Sequence, residues 1–391
     1  MSSVLFYQIT KNEIIPVPVK NGAPGSSQNL RDVAAQAKEN WILLKVSTGD
    51  VRIEKEIIFR WVQFARDHQF AWCYAHYRET KNGVCSAIST LRYQKGSIRD
   101  DFNFGPIVLV EQDLLNEYLK NNSPAYQFAG FYDFRLFAAR AGKIGQFPEF
   151  VCTREEMDHR LPGEKQFDYV DPQNRSRQIE MEQAATHHLE QIGAKVSPPF
   201  LHLEFENAFP IEASVIIPVR NREKTIADAL HSALGQKTRF AYNVIVINNH
   251  STDQTGTIID RLADERIIHH IPKATHLGIG GCWNEGINHA GCGRFAVQLD
   301  SDDLYSNENT LQKIIDVFHK ECCAMVVGTY QMVNFDLQEI PPGIIDHREW
   351  TSENGPNNAL RINGLGAPRA FYTPLIRSIG FPDVSYGEDY A

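Results

Sequence analysis

Several things missing from this chain set its first limits. No run approaches the roughly 18 apolar residues that a membrane-spanning helix needs, so no bilayer span is expected. The opening, MSSVLFYQITKNEIIPVPVK, has neither the basic start nor the apolar core of a secretion signal. Cysteine is scarce: the seven (Cys73, Cys85, Cys152, Cys282, Cys292, Cys322, Cys323) are odd in number and contain no C-x-x-C. This pattern argues against a disulfide frame or a zinc site and for reduced thiols. The expected location is therefore cytoplasmic, or peripheral at the inner face of a membrane. Excess positive charge is also absent. With a net charge of −9, nothing would drive counterion release from a phosphate backbone, and nucleic acid is not an expected partner. What is present, 42 % apolar and 22 % charged residues over 391 positions, describes a globular chain too long for one ordinary core. Two domains are expected, and the oligomeric state is left open.

A break falls between them. The polar stretch EEMDHRLPGEKQFDYVDPQ gives way to NRSRQIEMEQAATHHLEQIG, which reads as a helix over 174–193 with Asn174 capping its start and Gly193 its end. Ile179, Ala185, Leu189 and Ile192 form its apolar side. His187 and His188 point about 100° apart on a helix and cannot chelate one ion together, so they read as surface residues. The expected division is an N-terminal domain over 1–154, a linker over 155–212 holding this helix, and a second domain over 213–391.

From Ala213 strands and helices alternate. ASVIIPV, NVIVIN, RIIHHI and FAVQL are short apolar runs of the kind that fill buried parallel strands. Helices follow the first two, with Asn221 placed as one N-cap and Ser251 and Gln254 spaced as a capping box. This order predicts a mostly parallel sheet with helices on both faces and right-handed crossovers. Ligands of such sheets sit beyond the carboxyl ends of the strands. Pro218 to Asn221, Asn248 to His250 and Asp300 to Asp303 all lie at such ends and should meet in one crevice. The last of these, in FAVQLDSDDLY, packs three carboxylates into four positions. Such a cluster suits a hard divalent cation, Mn²⁺ or Mg²⁺, that shares its shell with a diphosphate. The competing reading is a solvated acidic turn at the start of the next helix.

SVIIPVRN, VIVINNHSTDQT, GIGGCWNEGINHAG, LDSDD and YGEDYA stand in the order and spacing of family 2 glycosyltransferases, which this region from about Ala213 to Ala391 resembles. The resemblance implies the Rossmann-like A-type glycosyltransferase fold and a nucleotide-sugar donor, most simply a UDP-sugar. It implies donor contacts at Pro218, Val219, Arg220, Asn221, Glu223, Asn248, Asn284, Asp300 and Asp302. Asp303, with Asp302, would hold the metal. Of the pair Glu388 and Asp389, Asp389 is the expected base, taking a proton from the acceptor hydroxyl as the sugar leaves its phosphate. One base opposite the leaving group implies inversion at the anomeric carbon. A glycan or lipid-linked acceptor is implied, in polysaccharide or glycoconjugate synthesis. The motif ends two residues before Ala391, whereas family members continue with a helix and an acceptor-binding segment. One departure stands out: the second strand ends in Asn248, where the family has an aspartate that accepts a hydrogen bond from uracil. The alternatives are a nucleotide-sugar binder without catalysis or a sugar nucleotidyltransferase. The latter would want a glycine-rich loop, which VRNREKT lacks.

The first 150 residues carry an internal repeat. NWILLKVSTGDVRIEKEIIFRWVQFARDHQFAWCYAHY aligns without a gap on GRFAVQLDSDDLYSNENTLQKIIDVFHKECCAMVVGTY. Asp50 falls on Asp303, Ser47 on Asp300 and Gly49 on Asp302. Further on, NFGPIVLVEQDLL resembles NGLGAPRAFYTPLI, and Tyr132-Asp133 lies opposite Glu388-Asp389. The expectation is a smaller, degenerate α/β domain: the second half of an A-type fold, without its nucleotide-binding half and without catalysis.

Overall fold

The computed structural model describes all residues except 1–3, 19–24, 48, 122–123, 157–168, 170–173, 198, 206–208, 348–349, 363, 367, 386 and 389–391. The chain forms two compact units, Met1–Pro198 with Arg348–Ile362, and Pro199–His347 with Asn363–Ala391.

Unit 1 begins with β1 (Val4–Ile9), β2 (Ile14–Pro18), α1 (Ser27–Gln36), β3 (Trp41–Lys45), β4 (Val51–Ile53) and α2 (Lys55–Asp67). It continues with β5 (Trp72–Lys81), β6 (Val84–Ile88), β7 (Ile107–Glu111), α3 (Gln112–Lys120), α4 (Gly130–Arg140), β8 (Ile144–Glu155) and α5 (Arg175–Gln191). The sheet runs β2-β1-β3-β7-β5-β8-β4, with β6 also on β5. Only β5 and β8 pair in parallel among the described strands. Helices cover both faces, which is why WILLK buries residues of both parities. Ile42 and Leu44 join Leu30, Leu114 and Phe134 on one face, and Leu43 joins Trp61 and Phe147 on the other.

The helix expected in a linker is instead part of this unit. Met181, Ala184, Ala185 and Leu189 of α5 pack on Tyr132 and Leu136 of α4. Ile179 and Ile192 are exposed, so the buried stripe is rotated from the expected one. Asn174 makes no capping bond, while Gly193 does take the left-handed conformation, at φ +69°. His188, expected at the surface, is buried, and Arg140 Nη1 donates to its Nδ1 at 2.9 Å. Burial first, then the charges of Arg140, Arg135 and His187, hold its imidazole down to about 4 against an ordinary 6.5. Below pH 6.5 the unfolded chain thus binds a proton that the native state refuses. The stability contributed by neutral His188 is whole above 6.5 and is lost as pH falls toward 4. Between pH 7 and 5 this group should cost unit 1 on the order of 2 kcal/mol. His188→Gln, which keeps an acceptor for Arg140, should flatten the slope of unfolding free energy against pH. Equal slopes would remove His188 from the account.

Unit 2 contains β9 (Ala213–Val219), α6 (Ile226–Leu234), β10 (Tyr242–Asn248), α7 (Thr255–Arg261), β11 (Ile267–His270), α8 (Ile279–Asn288), β12 (Phe295–Gln298), α9 (Thr310–Glu321) and β13 (Met325–Val327). After a separate ribbon of β14 (Tyr330–Val333) and β15 (Glu339–Ile345), the short helix α10 (Gly355–Arg361) belongs to unit 1. The chain returns with β16 (Arg369–Tyr372) and α11 (Thr373–Ile379). The sheet order is β11-β10-β9-β12-β16-β13. Its first four strands are parallel, and β16 runs antiparallel to both neighbours. The four expected strands are all present: β9, β10 and β12 are buried along their whole length with both faces covered, and β11 is a half-buried edge strand. Val215, Ile217, Val244 and Val246 face α6 and α9, and Ile216, Ile245 and Ile247 face Trp283 and Ile287 of α8.

The repeated text has repeated topology. In unit 1, β3 and β5 flank an antiparallel β7, with α2 between β3 and β5 and α3 directly after β7. In unit 2, β12 and β13 flank an antiparallel β16, with α9 and α11 in the same places. Ile42 pairs with Val110 as its counterpart Phe295 pairs with Tyr372. The likeness ends at the next strand: β9 joins β12 in parallel, whereas β1 joins β3 antiparallel. Unit 1 is also not the smaller unit, since its sheet has eight strands against six.

Candidate active site

The carboxyl ends of β9, β10 and β12 lie side by side, and two loops are fastened together above them. Asn221 and His250 take left-handed conformations, at φ 55° and 54°. Each costs on the order of 1 kcal/mol for a residue with a side chain. Cross-loop hydrogen bonds offset that cost. The Asn221 N–H donates to Ser251 Oγ at 3.0 Å, and Thr252 N–H to Asn221 Oδ1 at 2.8 Å. Arg222 N–H donates to Thr255 Oγ1 at 2.8 Å, and Gln254 N–H to Glu223 Oε2 at 3.0 Å. Asn221 and Ser251 therefore do not cap helices as their spacing suggested. α6 starts only at Ile226 and α7 at Thr255, because these side chains serve the neighbouring loop instead.

Asn248, at the end of β10, is committed inward. Its Oδ1 accepts from Ser251 N–H at 3.0 Å, and its Nδ2 lies 3.1 Å from His269 Nε2. His269 Nδ1 lies 2.7 Å from Asp260 Oδ1. A carboxylate must be met by an N–H, so Nδ1 donates and Nε2 accepts from the amide. The next residue is different. Asn249 is buried, its Nδ2 donates to Leu277 O at 3.0 Å, and its Oδ1 has no partner among the described residues. A buried acceptor left this way points to a ligand donor. Asn248, and not Asn249, is the expected donor contact of this pair. The available signal was strand alternation, which turns the two amides to opposite sides.

Beyond β12, Asp303 N–H closes a tight turn on Asp300 O at 3.1 Å. Burial first and the neighbouring Asp303 second push the Asp300 carboxyl up to about 6, Arg369 pulls it back, and Asp302 and Glu388 add to the rise. Asp303 has open surface yet sits deep enough in the crevice that desolvation, then Asp302, raises it too. Asp302 is also exposed and faces Arg222, with Nε to Oδ2 at 3.6 Å. Arg369 is buried opposite Gln298, donating from Nε to its Oε1 at 2.5 Å and from Nη1 to Leu365 O at 2.9 Å.

Glu388 is buried and close enough to influence Asp300. The start of α8 holds its segment. Asn284 forms a reciprocal pair with the Phe381 backbone, Nδ2 to O at 2.7 Å and N–H to Oδ1 at 2.9 Å, and Gly278 N–H donates to Asp383 Oδ1 at 2.8 Å. A β-carbon at Gly280 would lie 1.8 Å from Pro382 O and 3.1 Å from Glu388 Cβ, so no side chain fits there. Asp389 lies outside the described residues. Pro218 and Val219 are buried in β9, and Arg220 is exposed at its end.

Among the described residues no three His, Cys, Asp or Glu side chains form a ready metal cage. The donor set still suits a hard cation of the kind that takes one or two carboxylates and fills its shell with water and phosphate oxygens. Burial first, and the neighbouring carboxylates after it, raise the carboxyls of Asp300 and Asp303.

Residues 214–377 match the family model described as Glycosyl transferase family 2. The minor teichoic acid biosynthesis protein GgaB of Bacillus subtilis (strain 168) is 30 % identical over 117 residues, covering 29 % of this chain and 13 % of that protein. Among solved structures, S. aureus TarS 1–349 in complex with UDP-GlcNAc is similar at 24 % identity and a TM-score of 0.38, over 46 % of this chain and 51 % of that one. The mannosyltransferase PcManGT of Pyrobaculum calidifontis, with GDP-Man and Mn²⁺, overlaps at 16 % identity and a TM-score of 0.36, over 57 % and 61 %. The chain thus spans about an eighth of the curated relative and about half of TarS 1–349. The motif series, the strand order and the family match agree: residues 214–377 are a glycosyl transferase family 2 domain.

Proposed function

We propose that unit 2 moves a sugar from a UDP-sugar to a hydroxyl of a glycan acceptor, with inversion, in the synthesis of a surface polymer of the teichoic acid kind. One observation carries the reading. An unpartnered buried acceptor, Asn249 Oδ1, an acidic turn and Glu388 all belong to the strand-end side of one sheet. The name of the B. subtilis relative supports the polymer class. In this reading Asn249 Oδ1 accepts the uracil ring N–H, and Asn248, held by His269 and Asp260, keeps the loop in place. Asp302 and Asp303 would hold Mn²⁺ or Mg²⁺, which when bound supplies positive charge to the leaving diphosphate. Arg222, freed from Asp302, is the side chain best placed to meet the same phosphates. Asp389 takes the proton from the acceptor hydroxyl as that oxygen bonds to the anomeric carbon and the bond to phosphate breaks.

Release of UDP from UDP-sugars with a teichoic acid acceptor tests the activity, and the anomeric configuration of the product tests inversion. Asn249→Ala should weaken UDP binding by roughly 5- to 100-fold, the effect of losing one buried hydrogen bond. Calorimetry reads it, and an unchanged Kd would place uracil recognition elsewhere.

A further inference from the structure

Within unit 2, the buried end of β10 is linked to solvent through the sheet edge. Asp260 on α7, with its side chain 70 % exposed, meets His269 of β11, His269 meets Asn248, and Asn248 holds the Ser251 N–H. Ser251 Oγ in turn accepts the Asn221 N–H, and Asn221 Oδ1 accepts the Thr252 N–H. The two strained residues, Asn221 and His250, thus stand at or beside the inner end of this relay. Gly256 leaves room for it: a β-carbon there would lie 3.3 Å from Asn248 Nδ2 and 3.9 Å from His269 Cε1.

Every link has a direction. Asp260 takes the Nδ1 proton, so neutral His269 offers Nε2 as an acceptor, and the Asn248 amide must turn Nδ2 toward the ring and Oδ1 toward Ser251. Protonation puts a second N–H on the ring. Nε2–H then faces Nδ2–H, donor against donor, where 3.1 Å now separates the two nitrogens. Turning the amide over removes that conflict and creates another, because Nδ2 would then face the Ser251 N–H. A buried donor goes unmet in either case. The groups around the ring leave it no other acceptor among the described residues. Asp260 is the charged group that α7 brings to it, and β10 brings the neutral Asn248. The next residue of β11, His270, turns to the opposite face, where it meets Glu285 and the ring of His289. An aspartate at position 248 would behave in the opposite way. A carboxylate has only acceptors, so it suits the protonated ring and has nothing to donate to the neutral one.

We propose that His269 is a proton-controlled positioning residue of the donor site. Neutral, it holds Asn248 and through it the two loops; protonated, it reverses the polarity of that contact, loosens the loops and weakens nucleotide-sugar binding. The inference rests on the donor-site reading for its consequence. The sign follows from the proton count: the ordered loops require the neutral ring, so affinity is full above the titration of His269 and falls as pH drops through it.

The test uses the full chain with Mn²⁺ and UDP-GlcNAc as the probe. Affinity is measured by calorimetry across pH, and the His269 ring is followed by NMR, its signals assigned by their loss in His269→Gln. Parent affinity should fall about 5- to 100-fold, the effect of one unmet buried hydrogen bond, along the same curve as the ring signals. His269→Gln keeps an acceptor for Asn248 and has no proton to gain, so that component of the fall should vanish. Asn248→Asp should reverse its sign. Exchange of the Ser251 and Asn221 N–H groups in the free parent, corrected for the intrinsic rate, should quicken as His269 protonates. Affinity that stays flat through the His269 titration overturns the proposal, as does an unchanged slope in His269→Gln or the parent's sign in Asn248→Asp. If His269→Gln does not fold, the exchange of these two groups in the parent decides. A parent chain that binds no UDP-GlcNAc at any pH defeats the donor-site reading instead, and the same exchange measurement then judges the relay by itself.

Discussion

Asp389→Asn should lower sugar transfer by roughly 10²–10⁴-fold, the contribution of a positioned general base. UDP affinity should be unchanged, because the substitution keeps the shape and removes only the proton acceptor. An alcohol is a poor nucleophile until its proton has somewhere to go as the new bond forms. The drop should therefore appear in kcat with donor KM little altered. Glu388 is the sensible comparison. It is buried near Asp300 and raises that carboxyl, so Glu388→Gln eases repulsion in the acidic turn as well as removing a carboxylate. Its effect should be smaller and should include a change in cation affinity. A parent-like rate in Asp389→Asn would move the base elsewhere.

Chelation should produce the second large effect. Removing divalent cations with EDTA should weaken UDP binding on the order of a hundredfold, since a bound cation supplies several kcal/mol of charge stabilisation to a diphosphate. Asp303→Ala should bind UDP weakly and equally with Mn²⁺ and with EDTA. Asp302→Ala should be milder, because it also releases Arg222, whose Nε lies 3.6 Å from Asp302, to meet the phosphates directly. Calorimetry in the two buffers separates these outcomes. Equal affinity in Mn²⁺ and EDTA for the parent chain would rule out a metal-bridged diphosphate, leaving Arg222 and Arg369 as the counter-charges.

The sequence by itself determined the α/β class of unit 2, its four parallel strands and the three strand ends at the crevice. A strand covered on both faces must be a continuous apolar run, and the polar residues Arg220, Asn248 and Asp300 mark where the runs end. The repeat in unit 1 was legible for the same reason. β3, α2 and β5 are local elements whose pattern copies β12, α9 and β13 residue by residue. Only the tertiary structure decided where polar side chains spend their hydrogen bonds. Asn221 and Ser251 have capping residues' chemistry, but a partner loop some thirty positions away competed for them and won. The rotation of α5 was invisible because its weakly patterned sequence allows several buried stripes, and α4 and α10 select one. His188 changed from a surface residue to a buried neutral one for that reason. The hydrogen bonds of α10 to α5 were equally out of reach. An asparagine reads the same in sequence whether it faces water, a ligand or a glutamate 172 positions away, and only the fold supplies the distance.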